Sequence, residues 1–390
     1  MQLSQEVRML RDLVDEFGRK EVMDIGYSKL EPKGEFPQEL IAKMNALGTM
    51  GLTFPEEYGG SAMSTVAASV VAERKAFYLP SWHLRWTASH GLAGYPILTF
   101  GTKEQKERFL PGLASGEILG CYALSEPNAG SDAAAIATRA EPSEKKGGWI
   151  LSGTKTWITN ADEASVCVLF ARVKGDTSGK RHGGIAAFVL QSDEPGLKIP
   201  GVKVSVIPKR ALRCSHFAEI ALDNVFVPQE NVLGLRDGLV RGFYMAMETL
   251  NNGRINIAAQ SVGIARRALH EAKEYARARE AFGQRLIEMP KRATNLARLQ
   301  AEVDAAWELT LHASELKDLG EEYLYFASEA KLVASEIALR CAIENYRVAG
   351  ALGITEESIA IPIVNDAFAA VTYEGTSDMQ ELIIAKSLQS

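Results

Sequence analysis

The chain has 390 residues, 46% hydrophobic and 24% charged, enough apolar material for one large or several smaller cores. This composition excludes a disordered, collagen-like or coiled-coil protein, and a formal charge of −6 argues against nucleic-acid binding as the main task. No apolar run approaches the roughly 18 residues of a membrane span, and charges thread the N-terminal apolar positions, so neither a membrane segment nor a secretory signal is expected.

From Met1 to about Leu119 the pattern is helical. Val7, Leu10, Leu13 and Val14 recur at the spacing of one helix face, and Leu40, Met44 and Leu47 repeat it. Gly51, Pro55, Gly59 and Gly60 punctuate a loop before a helical stretch from Val66 to Phe77. Ser81 to Phe100 reads as one buried helix ending at Gly101, and Thr102 with Glu104 and Gln105 opens the next. From about Gly120 to Gly234 glycine and proline become frequent. Trp149–Leu151, Val166–Arg172, Ile185–Leu190 and Glu219–Val227 read as strands, which predicts a compact antiparallel sheet or barrel.

Helical texture returns from about Leu235. Leu296, Leu299, Val303, Trp307 and Thr310 form one stripe, and Ala327–Ala349 is alanine-rich and ends at Gly350. Thr355 with Glu357 reads as the cap of a helix running through Ala370. The expected fold is therefore α+β and multidomain: a helical domain over 1–119, a β domain over 120–234 and a helical domain over 235–390. Cys121, Cys167, Cys214 and Cys341 lie far apart in sequence and form no CxxC pair or metal knuckle, so buried thiols in a reducing, cytoplasmic compartment are expected.

Four clusters can carry chemistry. Glu374, in Tyr373-Glu-Gly-Thr-Ser377, is a general-base candidate at the joint before a helix that Thr376 can cap; the bland reading is a carboxylate favouring a helix N-terminus. Tyr122 to Asp132 collects small and hydroxyl residues around Gly130 that could approach a phosphate or ring edge, or could be a polar turn. Trp157 in Lys155-Thr-Trp-Ile-Thr-Asn160 could stack on a planar ring with Thr159 at its edge, although a core role is the commoner fate of a tryptophan. Arg277-Ala-Arg279-Glu-Ala-Phe282-Gly283 offers an arginine fork suited to phosphate, or a solvated face. Six histidines show no metal-ligand spacing, His83 and His90 read as core histidines, and no metal site is expected.

In this order, Tyr122-Ala-Leu-Ser-Glu-Pro-Asn-Ala-Gly-Ser-Asp, Leu151-Ser-Gly-Thr-Lys-Thr-Trp-Ile-Thr-Asn, Arg279-Glu-Ala-Phe-Gly and Tyr373-Glu-Gly-Thr closely resemble the acyl-CoA dehydrogenase family. Tyr58-Gly-Gly, Phe100-Gly-Thr-Lys-Glu-Gln-Lys, Asn224-Val-Phe-Val-Pro and Asn231-Val-Leu-Gly extend the resemblance across nearly the whole chain. It implies a helical domain, a middle β-barrel domain and a C-terminal four-helix bundle, with FAD bound in a homotetramer or homodimer. It also implies that Glu374 removes the α-proton of an acyl-CoA thioester while the β-hydrogen leaves as hydride to the flavin. The developing enolate oxygen would be held by the Glu374 backbone N–H and a flavin ribityl hydroxyl.

By the same resemblance Tyr122, Leu124, Ser125, Ser131, Trp157, Thr159, Thr376 and Asp378 contact FAD. Arg279, Phe282, Arg347 and Ala351 match positions toward the FAD of a neighbouring subunit. Ser131, Asn251, Arg254, Gly375 and Lys386 match substrate and CoA contacts. An electron-transfer flavoprotein is the implied partner. Some members carry the base at the position of Gly253, which here has no side chain and could widen the acyl cleft. Departures fall at Pro290, Arg347, Gly350–Gly353, Asn251 and Asn365. Either Arg347 compensates by pairing with the pyrophosphate, or FAD binding is weakened. They leave open a flavoprotein of the same fold acting as an oxidase, on carrier-protein-bound acyl groups, or as an alkylation-response-like binder.

Overall fold

The computed structural model describes residues 3–174 and 180–389. Helix α1 (Gln5–Phe17) starts where the Ser4 hydroxyl accepts from the Val7 N–H at 3.2 Å. Its buried stripe is Val7 and Val14 with Leu10 beside them. Leu13, expected on that face, is 45% exposed, because it directly precedes Val14 and so lies about 100° round the helix from it. Helices α2 (Gln38–Ala46) and α3 (Thr65–Tyr78) follow, α3 capped by Ser64. The single helix expected over 81–100 is α4 (Pro80–Thr87), a wider π turn (Ala88–Gly94) and α5 (Tyr95–Phe100). Nothing in the apolar pattern marks that widening beyond Gly91 and Gly94. Helix α6 (Lys103–Ser115) opens with the expected capping box between Thr102 and Gln105.

A seven-stranded sheet follows: β1 (Gly120–Ala123), β2 (Arg139–Ser143), β3 (Gly148–Thr159), β4 (Val166–Val173), β5 (Ile185–Gln191), β6 (Val202–Ile207) and β7 (Phe217–Pro228). The sheet is mixed rather than wholly antiparallel. β1 and β2 run parallel to β4, whereas β3 pairs antiparallel with β2 and β7, β5 with β4, and β6 with β7. Strand direction depends on which distant strand is met, and local patterning does not carry that information.

The remaining chain is helical. The 43-residue α7 (Arg236–Ala278) leads into a hairpin of β8 (Glu280–Ala281) and β9 (Gln284–Arg285). Then come α8 (Pro290–Asp318), α9 (Leu324–Ala349), α10 (Ala360–Ala370) and α11 (Ser377–Ser387). Thr355 does not cap α10. Its N–H instead bonds Leu352 O at 3.0 Å, closing a 3-10 turn (Gly350–Ile354). Pro362 explains the late start, since its ring would clash with the carbonyl four residues back if the helix began earlier. One apolar core joins Val14, Val71 and Trp82 to Ile255, Val303, Ile337 and Ile363, so the two helical regions share an interior. A second core lies within the sheet, from Leu151 and Cys167 to Phe188 and Val225. Among the described residues no helix is long and apolar enough to cross a membrane.

His216, at the head of β7, ties the sheet to the N-terminal helices. Nδ1 faces Asp162 Oδ2 at 2.5 Å and Nε2 faces the Gly34 carbonyl at 2.7 Å. Both partners are acceptors, so both ring nitrogens donate and the ring is an imidazolium. The bond to Asp162, opposed by partial burial, raises its pKa to about 9. Asp162, Glu163 and His216 do converge, but the imidazolium turns no lone pair toward a cation. A group whose folded pKa is raised stabilises fully below its unfolded value and loses that contribution as pH climbs through the folded one. Stability should therefore decline between about pH 6.5 and about pH 9 by a component absent in His216→Gln. Denaturation curves across that range, parallel for the two proteins, would reject the assignment.

Candidate active site

Glu374 stands in the connection between α10 and α11 and is half-buried as a residue. Its backbone is left-handed, φ 52°, and Gly375 follows at φ 92°. A non-glycine residue is held there only if its surroundings fix it. Three contacts do so. The fully buried Gln380 donates through Nε2 to Gly375 O at 3.0 Å and approaches Glu374 O at 3.5 Å. Tyr373 donates its hydroxyl to Gln260 Oε1 of α7 at 2.6 Å. Thr376 caps α11, accepting from the Met379 N–H at 3.3 Å.

The Glu374 carboxyl lies over Gly253 of α7. A methyl group built on Gly253 would sit 1.8 Å from Glu374 Oε2. Gly253 therefore does not open free space, contrary to the idea of a widened cleft; it makes room for the carboxylate. Oε2 is shut off from water and has no hydrogen-bond partner. Burial pushes the carboxyl up to about 7, against the pull of Lys331 and Arg254. Arg254 is buried, gives one N–H to Asn251 Oδ1 at 2.6 Å and leaves Nε unpartnered. Tyr122 of β1 donates to Ala246 O at 3.2 Å and feels the Glu374 charge. The structure thus brings together Glu374, Gly375, Tyr122, Asn251 and Arg254. The turn of α7 before Gly253 is polar: Tyr323 donates to Glu248 Oε1 at 2.8 Å, Asn251 to Glu248 Oε2 at 3.3 Å, and Lys317 to Asn252.

A second group lies on the sheet. Lys155 is buried between Leu124 O at 2.9 Å and Glu126 Oε1 at 2.7 Å, and Glu126 accepts from the Ala137 and Thr138 N–H groups at 2.6 and 3.0 Å. Thr156 N–H bonds Ser125 O at 3.0 Å. These contacts pin Leu124 and Ser125 beside β3. Trp157 is not a core residue. It is 58% exposed at φ 61°, with Thr159 half-buried two positions on and Ile158 between them turned into the core. A large ring kept in water on a left-handed backbone has a face on which a flat partner could stack. Ser131 is exposed, and its neighbour Asp132 pairs with Arg181.

The other expected residues do not join these groups within one chain. Arg279 and Phe282 lie on the β8–β9 hairpin, with Phe282 96% exposed at its tip. Arg347 is 67% exposed near the end of α9, and Ala351 is exposed in the following turn. Asp378 and Lys386 are exposed on α11, and Thr376 is half-buried. Sequence reading missed Lys331, Gln260, Gln380 and the Glu126–Lys155 pair. Lys331 had a signal: it stands on the buried stripe of Ala327, Ala330, Ala334 and Ala338, where a lysine is out of place. For the glutamines no local pattern exists.

Comparison with known proteins places the whole chain. Three family models match in order: the acyl-CoA dehydrogenase N-terminal domain over 4–117, the middle domain over 121–225 and the C-terminal domain over 240–389. The chain is 37% identical over 387 residues to a probable acyl-CoA dehydrogenase of Bacillus subtilis, covering 99% of each. It is 37% identical to a mitochondrial short-chain specific acyl-CoA dehydrogenase of Bos taurus, covering all of this chain and 91% of that one. The solved butyryl-CoA dehydrogenase of Megasphaera elsdenii superposes with a TM-score of 0.94 at 33% identity, with full coverage of both chains.

The contrast between neighbours on β3 can be measured. Trp157→Ala should change the unfolding free energy of the cofactor-free protein by about 0.5 kcal/mol or less. Ile158→Ala, which empties a buried site, should cost about 2–5 kcal/mol. Equal losses in denaturant titrations would mean that Trp157 packs in the core after all.

Proposed function

The chain belongs to the acyl-CoA dehydrogenase family, and from that premise we infer that Glu374 is the general base of its reaction. The protein is an FAD-dependent oxidoreductase that dehydrogenates acyl-CoA thioesters to 2-enoyl thioesters. The observation that carries the assignment of the base is the buried, partnerless Oε2 of Glu374, seated over a glycine.

The residues present fit the cofactor. Trp157 offers an unpaired ring face, Thr159 and Ser125 offer hydroxyls at its edge, and Leu124 and Tyr122 supply an apolar flank. Thr376 and Asp378 follow the base, and Ser131 lies at the exposed end of the loop. Bound FAD supplies a hydride acceptor for the β-hydrogen. Glu374 supplies the other half, taking the α-proton at Oε2. A carboxylate with a pKa near the working pH is a far stronger base than one left in water and is still ionised often enough to act. Arg254, Asn251, Gly375 and Lys386 are the proposed contacts for the thioester and CoA. The Glu374 N–H is the proposed donor to the enolate oxygen, where fixed backbone groups stabilise charge as it forms.

The acyl group is proposed to be short. The polar turn formed by Glu248, Asn252, Lys317 and Tyr323 beside Gly253 gives a long apolar tail a poor surface. We propose a homotetramer or homodimer. Its support is the exposure of Phe282, Ile354, Phe368, Leu382 and Leu388, which are 96%, 68%, 57%, 55% and 76% accessible on the C-terminal helices and hairpin. Arg279, Phe282, Arg347 and Ala351 would then complete a neighbour's FAD site. An electron-transfer flavoprotein is the proposed acceptor, and four buried free thiols support a cytoplasmic setting.

Anaerobic addition of butyryl-CoA should bleach the flavin, faster than palmitoyl-CoA does, with a rate that rises with pH through about 7 as Glu374 ionises. Glu374→Gln should retain FAD and lose bleaching; retained bleaching would remove Glu374 from its role. Gly253→Ala should keep the fold yet slow bleaching by about 100-fold or more, because the added carbon overlaps the carboxylate. An unchanged rate would show that the carboxylate works from another position.

A further inference from the structure

Lys331 of α9 is fully buried, and its ammonium has no hydrogen-bond partner. Such a side chain is costly and is retained only where its charge is used or neutralised. Its surroundings are specific. Five positions along α9, Glu336 accepts the Ser377 hydroxyl at 2.6 Å, which fastens this part of the helix to the start of α11, three residues beyond Glu374. The charges that act on Lys331 are Glu374, Glu336 and Arg254. Glu336 is occupied by Ser377, and Arg254 repels. Glu374 is left as the one anion with an unpartnered buried oxygen. Three orphaned polar atoms, Glu374 Oε2, Lys331 Nζ and Arg254 Nε, each from a different element, thus belong to groups whose charges act on one another.

We propose that Lys331 is a positioning residue for the dehydrogenation, a buried counter-charge to the carboxylate that favours the ionised form of Glu374 before substrate arrives. The inference rests on the reading of Glu374 as base. Without an opposing field, the desolvation that makes Glu374 a strong base would also keep it protonated, and a protonated carboxyl cannot take a proton. Arg254 lies on the side assigned to the thioester and its charge is shared with substrate, whereas Lys331 has no such second task. The groups facing Glu374 are Lys331 from α9, Arg254 from α7, Tyr122 from β1 and the adjoining Tyr373. Both tyrosines are held neutral by burial, so the cations set its ionisation. The coupling is mutual: burial draws Lys331 down to about 8, opposed first by Glu374. Near neutral pH the lysine is therefore still mostly charged while the carboxyl is half ionised.

The test uses the FAD-loaded protein and Lys331→Met, which fills the same volume without charge and should not weaken the fold. Lys331→Gln is the substitute if the methionine variant does not accumulate, and Lys331→Arg retains the charge. Two readouts are taken. The first is the pH dependence of flavin bleaching by butyryl-CoA. The second is the substrate-free infrared titration of the carboxyl stretch that disappears in Glu374→Gln, which does not depend on turnover. The expected result is an acid limb and an infrared midpoint moved upward together by about one pH unit in the neutral variants, a tenfold fall in rate on the acid side, and near-normal rate at high pH. Lys331→Arg should keep both midpoints near wild type. An unmoved infrared midpoint, or a uniform loss of rate at every pH, overturns the proposal. Retained bleaching in Glu374→Gln would instead sink the assignment of the base, so the two failures are distinguishable.

Discussion

On the proposed assignment of Glu374 as base, the architecture around it answers one requirement: a carboxylate must be taken out of water without being lost as a base. Burial alone would neutralise it. The chain meets the demand with shape and charge together. A glycine on α7 leaves a socket for Oε2, a left-handed backbone turns the side chain into it, and cations from two helices offset the lost hydration. None of these works alone. A methyl in the socket would expel the carboxylate, and a relaxed backbone would aim it elsewhere. This is why the α10–α11 connection is held by contacts from Gln380, Gln260 and Thr376 rather than left as an ordinary loop.

The sheet domain solves a different problem, that of presenting a flat aromatic surface to water without letting it collapse inward. The Glu126–Lys155 pair is buried and saturated by Leu124 O and two backbone N–H groups, so it fixes the neighbouring loop against β3. With that loop fixed, Trp157 cannot swing into the core already filled by Ile158. A buried ion pair is rarely the best route to stability. Here its geometry is spent on the position of two backbone segments.

Much of this could be read from the sequence, and the remainder divides along physical lines. Helices α3, α6 and α9 were legible because their apolar period and caps are local, as were the long strands β4 and β5. Glu374 and Trp157 stood out as candidates because their residue types sit in distinctive local company. The parallel pairing of β1 with β4 was not, since nothing within Gly120–Ala123 says which strand it will meet. The start of α10 was misread because Thr355 looked like a cap, while Pro362 carried the stronger constraint. Gly253 was seen as an absence, and only the fold shows what fills it. Lys331 needed no fold to be noticed, only the question of why a charge stands on an alanine stripe.

The hairpin that ends in Phe282 carries a consequence for how the sequence can change. An aromatic residue exposed to this degree at the tip of a two-stranded turn has nothing among the described residues to shelter it. If the proposed oligomer forms, the surface that receives it is encoded elsewhere in the gene, so neither partner of that contact can drift unless the other follows. In such an oligomer Phe282 and its receiving surface should vary in concert among homologues, even where the intervening helices diverge freely.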